Sequence, residues 1–331
     1  MPHTDHWGVV GHEQAVRALQ HVLASGSLAH AYLFSGPHGI GKTTLARAFA
    51  AALLCAADGA RPCGACRACR LVAAGHHPDV HVVESEAPGA NLKIEQVREL
   101  QHLLGLTPVE GRWRIAILRR FEEATPSAAN ALLKTLEEPP PYVVLIVLTR
   151  DAEQLLPTIV SRCQHLLLRP LPIATVEAAL IERWNADGEL ARLVAHLTGG
   201  QVGTALRLLQ DRQALQERRL RLDELEQLLT RPLRDRFHYA EKLARDDRAA
   251  RETLTLWGSW WRDVLLLAAG ASRAQLVNVD REATLRRHAL RFGVAQSAAM
   301  VAALRAASER LKRNAHPRLT LDVVMLDLPR P

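Results

Sequence analysis

One stretch of this chain carries the residue types needed to hold and neutralise a phosphate chain. GPHGIGKT runs from Gly36 to Thr43 and supplies Gly36, Gly39, Gly41 and Lys42, with Thr44 next. The glycines let the backbone curl until its N–H groups and the start of the following helix converge on phosphate oxygens. Lys42 adds a point charge, and Thr43 can offer a hydroxyl to a magnesium ion. A second set is Cys55, Cys63, Cys66 and Cys69, spaced C-x7-C-x2-C-x2-C. Thiolates at such spacing suit tetrahedral zinc in a reducing compartment, and a closed four-sulfur site has no open position for a substrate. Zinc would therefore staple an inserted loop. Reduced structural or redox cysteines are the other reading, and Cys163 stands apart.

These groups need a frame that aims them. The apolar run Tyr32–Phe34 before the glycines and the helix formers Leu45–Ala48 after them give the strand–loop–helix context the motif requires. Further short apolar runs predict strands at Val80–Val83, Arg114–Leu118, Val143–Leu148 and Gln164–Leu168. Helices are expected after the phosphate loop, over Ile94–Leu104 and over Pro126–Leu136, where Pro139, Pro140 and Pro141 stop the last one. Alternation of this kind implies an α/β fold: a mostly parallel sheet with helices on both faces, interrupted by the cysteine insert at about 55–70. Past RPLP at Arg169–Pro172 the pattern turns helical, first in short pieces over 174–184, 189–197 and 204–210. Longer amphipathic stretches follow, with Leu254, Trp257, Trp261 and Leu265 on one face and Val301, Leu304, Ala307 and Leu311 on another; both read as helical core.

Composition bounds the partners. At 331 residues, two or three domains are expected. No apolar run approaches the roughly 20 residues of a membrane span, and the start MPHTDHWGVV lacks the character of a secretion signal, so a cytoplasmic protein is expected. The formal charge of +7 suits a polyanionic partner, though arginines on helices also serve simply to solvate a face.

Read in order, VVGHEQAV at Val9–Val16, the phosphate loop, the four cysteines, HHPDV at His76–Val80, NALLKTLEEPP at Asn130–Pro140 and SRC at Ser161–Cys163 resemble the AAA+ clamp-loader family. The likeness covers the first half, and LVNVD at Leu276–Asp280 extends it to the last domain. It implies an AAA+ P-loop domain over 1–169 with a zinc insert, a helical lid over 170–212 and a helical collar for oligomerisation over 213–331. Two branches of that family share these motifs, the tau/gamma motors and the delta-prime type, and this chain is more similar to the second.

The departures from the motor pattern carry that choice. Where a motor ends the strand before NALLKTLEEPP in an Asp-Glu pair, this chain has Arg119 and Arg120, which can neither coordinate Mg²⁺ nor accept a proton. Arg150 stands where a sensor threonine belongs, and Gly203 of GQVGTAL where the lid arginine belongs. Glu122 and Glu123 lie nearby, but using them would shorten the spacing to Asn130 by three residues.

What the resemblance implies is a stator. Arg162 of SRC would reach in trans into a neighbouring ATP site, where a guanidinium stabilises charge on the transferred phosphoryl group. ATP or ADP could sit in the loop without hydrolysis, and any nucleotidyltransferase activity would belong to the polymerase III holoenzyme. The implied partners are tau/gamma ATPase subunits and a delta subunit in a hetero-pentamer, the sliding clamp, and primed DNA, toward which Asn130 and Lys134 would face. Two alternatives stay open: a tau/gamma-type ATPase using Glu122 or Glu123, and a zinc-containing DNA-binding module with a relic loop. His76 and His77 are expected to be structural, at the start of a strand.

Overall fold

The computed structural model describes residues 7–272 and 276–329, so the first six residues of the polar start lie outside it. The chain divides into two compact units, Met1–Ala179 with Gly200–Thr204, and Leu180–Gly199 with Ala205–Pro331.

The first unit is built on one parallel sheet. Its strands are β1 (Ala31–Ser35), β2 (Val80–Val83), β3 (Arg114–Leu118), β4 (Val143–Thr149) and β5 (Gln164–Leu167), in the order β2-β3-β4-β1-β5. In register, Ala31 lies opposite Leu145 and Arg114 opposite Val143. β1, β3 and β4 are buried along their whole length, which is why they read as continuous apolar runs. Their side chains alternate between two cores. Tyr32, Phe34, Ile115, Ile117 and Ile146 meet one core, shared with α1 (Glu13–Ser25) and α2 (Lys42–Leu54). Leu33, Ala116, Leu118, Leu145 and Val147 meet the other, shared with α4 (Ile94–Leu104) and α5 (Pro126–Glu137). A fully buried side chain of this size stabilises the fold by about 1.5–3 kcal/mol. This is the doubly wound sheet expected of an AAA+ domain.

Local signals fix the elements that matter for chemistry. Thr125 caps α5 by accepting the Ala128 amide at 3.2 Å, and Pro126 starts the helix where no N–H is needed. Between α2 and β2 the chain makes the cysteine loop and α3 (Arg67–Ala74), capped by the Cys66 sulfur. Parallel pairing then places the C-terminal ends of β1, β3 and β4 at one edge, where α/β sheets bind ligands.

The second unit is helical. Its α10 (Arg212–Leu228), α12 (Asp247–Ala268), α13 (Glu282–Lys312, broken at Gly293) and α14 (Pro317–Asp327) enclose a core centred on Trp257, Trp260 and Trp261. Leu254, Trp257 and Trp261 are buried as their spacing predicts, while Leu265 is only half-buried. Asp263, fully buried, accepts the amides of Val277 and Asn278 and the Asn278 side chain, and so anchors LVNVD to α12. Among the described residues no helix is long and apolar enough to cross a membrane.

Candidate functional site

The phosphate loop leaves β1 and enters α2 with its first two glycines fixed by close approach. At Gly36 (φ 145°) a Cβ would lie 2.3 Å from the Leu168 carbonyl oxygen, and at Gly39 (φ 70°) 2.2 Å from the Thr204 hydroxyl. Only glycine fits either place. The Gly36 amide donates to Arg150 O at 3.2 Å, His12 Nε2 lies 3.0 Å from Ile40 O, and the Gly203 amide donates to Gly39 O at 2.7 Å. The loop is thus held by the end of β4, by the VVGHEQAV turn and by the segment Gly200–Thr204. Lys42 Nζ donates to Gly36 O and to Pro37 O. Burial pulls the Lys42 ammonium down to about 8; Glu122 opposes that fall and Arg150 adds to it.

At the end of β3 stand two arginines whose charge is consumed by local partners. Arg119 donates to Glu84 at 3.1 Å. Arg120, in the left-handed region at φ 50°, donates to Glu84 at 2.8 Å, to Glu123 at 2.9 Å and to Ser85 O and Oγ at 2.9 Å. Glu123 also accepts from Gly89 N at 2.9 Å and from the Ser85 hydroxyl. Burial pushes the Glu123 carboxyl up, but the bonds from Ser85, Gly89 and Arg120 outweigh it and hold it below the ordinary value. Glu122, its side chain 3% exposed, accepts Arg150 Nε at 2.7 Å and the Arg150 amide at 3.3 Å. Both glutamates are therefore spoken for within the domain.

The four cysteines converge. Their Sγ atoms all lie within 4.8 Å of one another, and a tetrahedron with Zn–S arms of about 2.3 Å has edges of about 3.8 Å, so the donors fit a four-sulfur metal site. Backbone amides aim at the sulfurs: Cys63 N at Cys55 Sγ (3.4 Å), Cys66 N at Cys63 Sγ (3.3 Å) and Cys69 N at Cys66 Sγ (3.5 Å). The Cys69 amide brings the Cys66 thiol down to about 6, whereas burial pushes Cys69 up to about 12. Thr43, Thr44 and Arg47 of α2 share a cavity of about 300 Å³ with Trp7, Cys69 and Val72, so the insert and the phosphate-loop helix have a common wall.

Arg162 lies in the turn between α6 (Pro157–Val160) and β5, its side chain 36% exposed. It donates to Thr158 O at 3.0 Å and pairs with Glu137 at 2.9 Å. Cys163 follows, packed against the β3–β4 core, with burial pushing its thiol up to about 11. Asn130 and Lys134 are exposed on α5, opposite Leu132 and Leu136 in the core. His77 is buried and accepts the Asp79 amide at 3.1 Å, a structural role.

Several site residues lay outside the sequence motifs. Glu84 and Ser85 follow β2, and a parallel β2–β3 pair brings their loop beside Arg119 and Arg120. The acidic run after β2 was the available signal. Asp79 was visible only as part of HHPDV; it accepts the amides of Val109, Glu110 and Gly111 at 2.7–3.0 Å and lies 3.7 Å from Arg114.

The family model described as DNA polymerase III, delta subunit, matches residues 11–172. The DNA polymerase III subunit delta' of Bacillus subtilis is 29% identical over 319 residues, which are 95% of each chain. The subunit of the same name from Pseudomonas aeruginosa is 43% identical over 185 residues, 54% of this chain and 56% of that one. DNA polymerase III subunit tau of Escherichia coli is 35% identical over 206 residues, 60% of this chain but 32% of tau. The similarity thus runs the full length for one delta' subunit and is partial for the tau protein.

Proposed function

This chain belongs to the delta-prime family of DNA polymerase III subunits, and from that premise we propose that it acts as the stator of a clamp loader, donating Arg162 to a neighbouring ATP site. The observation that carries this reading is the ion-pair cluster at the end of β3. Arg119 and Arg120 stand in the place of magnesium carboxylates, and Glu122 and Glu123 are bound to Arg150 and Arg120. A domain so wired does not polarise water, whereas the Arg162 guanidinium lies half-exposed on the turn after α6 and can exchange Glu137 for a phosphate. Tau/gamma motors would supply the hydrolysed ATP; a delta subunit, the sliding clamp and primed DNA would complete the assembly in the cytoplasm. Within this reading residues 1–169, 170–212 and 213–331 serve as ATPase-like domain, lid and collar. Zinc on Cys55, Cys63, Cys66 and Cys69 is a staple, and the phosphate loop holds nucleotide without splitting it. Asn130 and Lys134, exposed on α5, are placed to meet DNA phosphates, a contact that weakens with salt.

The test is ATP turnover by the reconstituted loader with clamp and primed DNA, beside turnover by this chain alone. The stator reading expects an inert isolated chain and a complex crippled by Arg162→Ala. Hydrolysis by the isolated chain that is lost in Lys42→Ala would establish a motor instead.

A further inference from the structure

A phosphate loop of this type ordinarily takes its nucleotide with magnesium, held by the loop hydroxyl and by a carboxylate from the neighbouring strand end. Thr43 is present, but the carboxylates do not fit the ion. Glu123 is filled by Arg120, Ser85 and Gly89, Glu122 is filled by Arg150, and the strand-end positions themselves are cationic. A divalent ion placed there would have to displace arginines from Glu84 and Glu123 to reach a carboxylate.

A different cation is already positioned. The Arg150 carbonyl accepts the Gly36 amide at 3.2 Å, which fixes the Arg150 backbone against the first glycine of the loop. Its side chain is 57% exposed, and among the described residues its one side-chain partner is Glu122, through Nε. That bond uses Nε and leaves the two terminal nitrogens of the fork available as donors. A guanidinium offers a flat fork of donors that matches phosphate oxygens. Lys42 is the second cation, and the charges of Glu122 and Arg150 are both felt at its ammonium. Loop amides, the α2 N-terminus, Lys42 and Arg150 therefore make a site whose positive charge is entirely protein-borne.

We propose that the phosphate loop of this chain binds a nucleoside di- or triphosphate as the metal-free anion, with the Arg150 guanidinium supplying the counter-charge that magnesium supplies in a motor. This rests on the reading that the loop still holds nucleotide, and it is independent of the Arg162 finger. It gives Glu122 a role as the latch that holds Arg150 beside the loop until phosphate displaces it.

Calorimetric titration of the full chain with ATP and with ADP, once in excess Mg²⁺ and once with EDTA just sufficient to remove free Mg²⁺, the metal content of the cysteine site being checked as unchanged in both, tests the proposal. The expected result is binding in EDTA at least as tight as in Mg²⁺. Arg150→Ala should weaken the EDTA binding about tenfold, the size of one charge-assisted contact. Arg150→Lys should recover part of it, and Glu122→Gln should tighten it several-fold. Binding that is tenfold weaker in EDTA, or that Glu122→Gln weakens in Mg²⁺, would overturn the metal-free mode and leave nucleotide binding in place. Absence of binding under both conditions would overturn the metal-free mode together with the occupied-loop reading, while turnover of the Arg162→Ala loader judges the stator separately.

Discussion

The Arg162 guanidinium stands 2.9 Å from the Glu137 carboxylate, joining the SRC turn to the end of NALLKTLEEPP. The two motifs that suggested a finger in trans are thus one piece of structure. Glu137 is 53% exposed, so the pair is solvent-screened and contributes little to folding, within about 1 kcal/mol. Its effect is on direction: the Arg162 guanidinium is held between Thr158 O and the Glu137 carboxylate.

If Arg162 serves a neighbouring ATP site as proposed, Arg162→Ala should lower turnover there by up to about 10³-fold, while Glu137→Gln should cost only a few-fold. Neither should move the melting temperature of the isolated chain by more than about 2 °C. Steady-state ATPase of the reconstituted loader, read beside thermal denaturation of each variant, checks both halves. A fall in stability matching the fall in turnover would argue that the turn, not the finger, had been lost.

How much of this was legible beforehand depends on the range of the interaction. β1 and β4 announced themselves because strands buried on both faces must be apolar at every position, from Tyr32 to Phe34 and from Val143 to Leu148. The cysteines were legible because metal geometry demands short, regular spacing. Arg119 and Arg120 could be read as a missing magnesium site, but not as members of a cluster with Glu84, Ser85 and Glu123, because the parallel β2–β3 pairing that unites them joins distant segments. Trp260 and Asp263 were invisible for a related reason: a buried carboxylate on an amphipathic helix looks like a surface residue until its amide partners at Val277 and Asn278 are placed.

The cysteine site should show its chemistry by which thiols react. In the metal-free chain Cys66, brought to about 6 by the Cys69 amide, is thiolate at neutral pH and should be alkylated by iodoacetamide first. Cys69, pushed up to about 12 by burial, should react last. Zinc should protect all four, and lowering the pH to about 5 should release it as protons compete for the sulfurs. Mass spectrometry of alkylated peptides and a colorimetric zinc assay give the order and the stoichiometry; Cys55 and Cys69 left unprotected by zinc would count against a four-sulfur site.

Asp79 makes a prediction about acid stability. Burial alone would raise its pKa, but the amides of Val109, Glu110 and Gly111 overcome this and hold it below the ordinary aspartate value. A depressed folded-state pKa contributes stability that is complete above the unfolded value, near pH 4, and is lost as pH falls through the lower folded value. Asp79→Asn should therefore destabilise the chain by about 3 kcal/mol at pH 7, because it strips charge from the amide cluster and leaves buried Arg114 without its carboxylate. The difference from wild type should shrink below pH 4. Urea denaturation at pH 7 and at pH 3 measures it, and an equal deficit at both would mean that the carboxylate charge is not what matters.

Gly203 shows why the motor's lid arginine cannot simply be restored. Its amide donates to Gly39 O at 2.7 Å, and a Cβ at this position would lie 3.0 Å from that same oxygen. A side chain there fits only if the Gly39 carbonyl or the Gly200–Thr204 segment gives by a few tenths of an ångström, against the hydrogen bond that joins them. Overpacking of this sort costs about 1–3 kcal/mol, so Gly203→Ala should lower stability by that amount and Gly203→Arg by at least as much. Because Arg119, Arg120 and Arg150 are untouched, Gly203→Arg should still leave the isolated chain without ATP turnover. Thermal denaturation of both variants, with a phosphate-release assay on Gly203→Arg, settles the point: appearance of turnover would show that the lid arginine alone separated this chain from a motor.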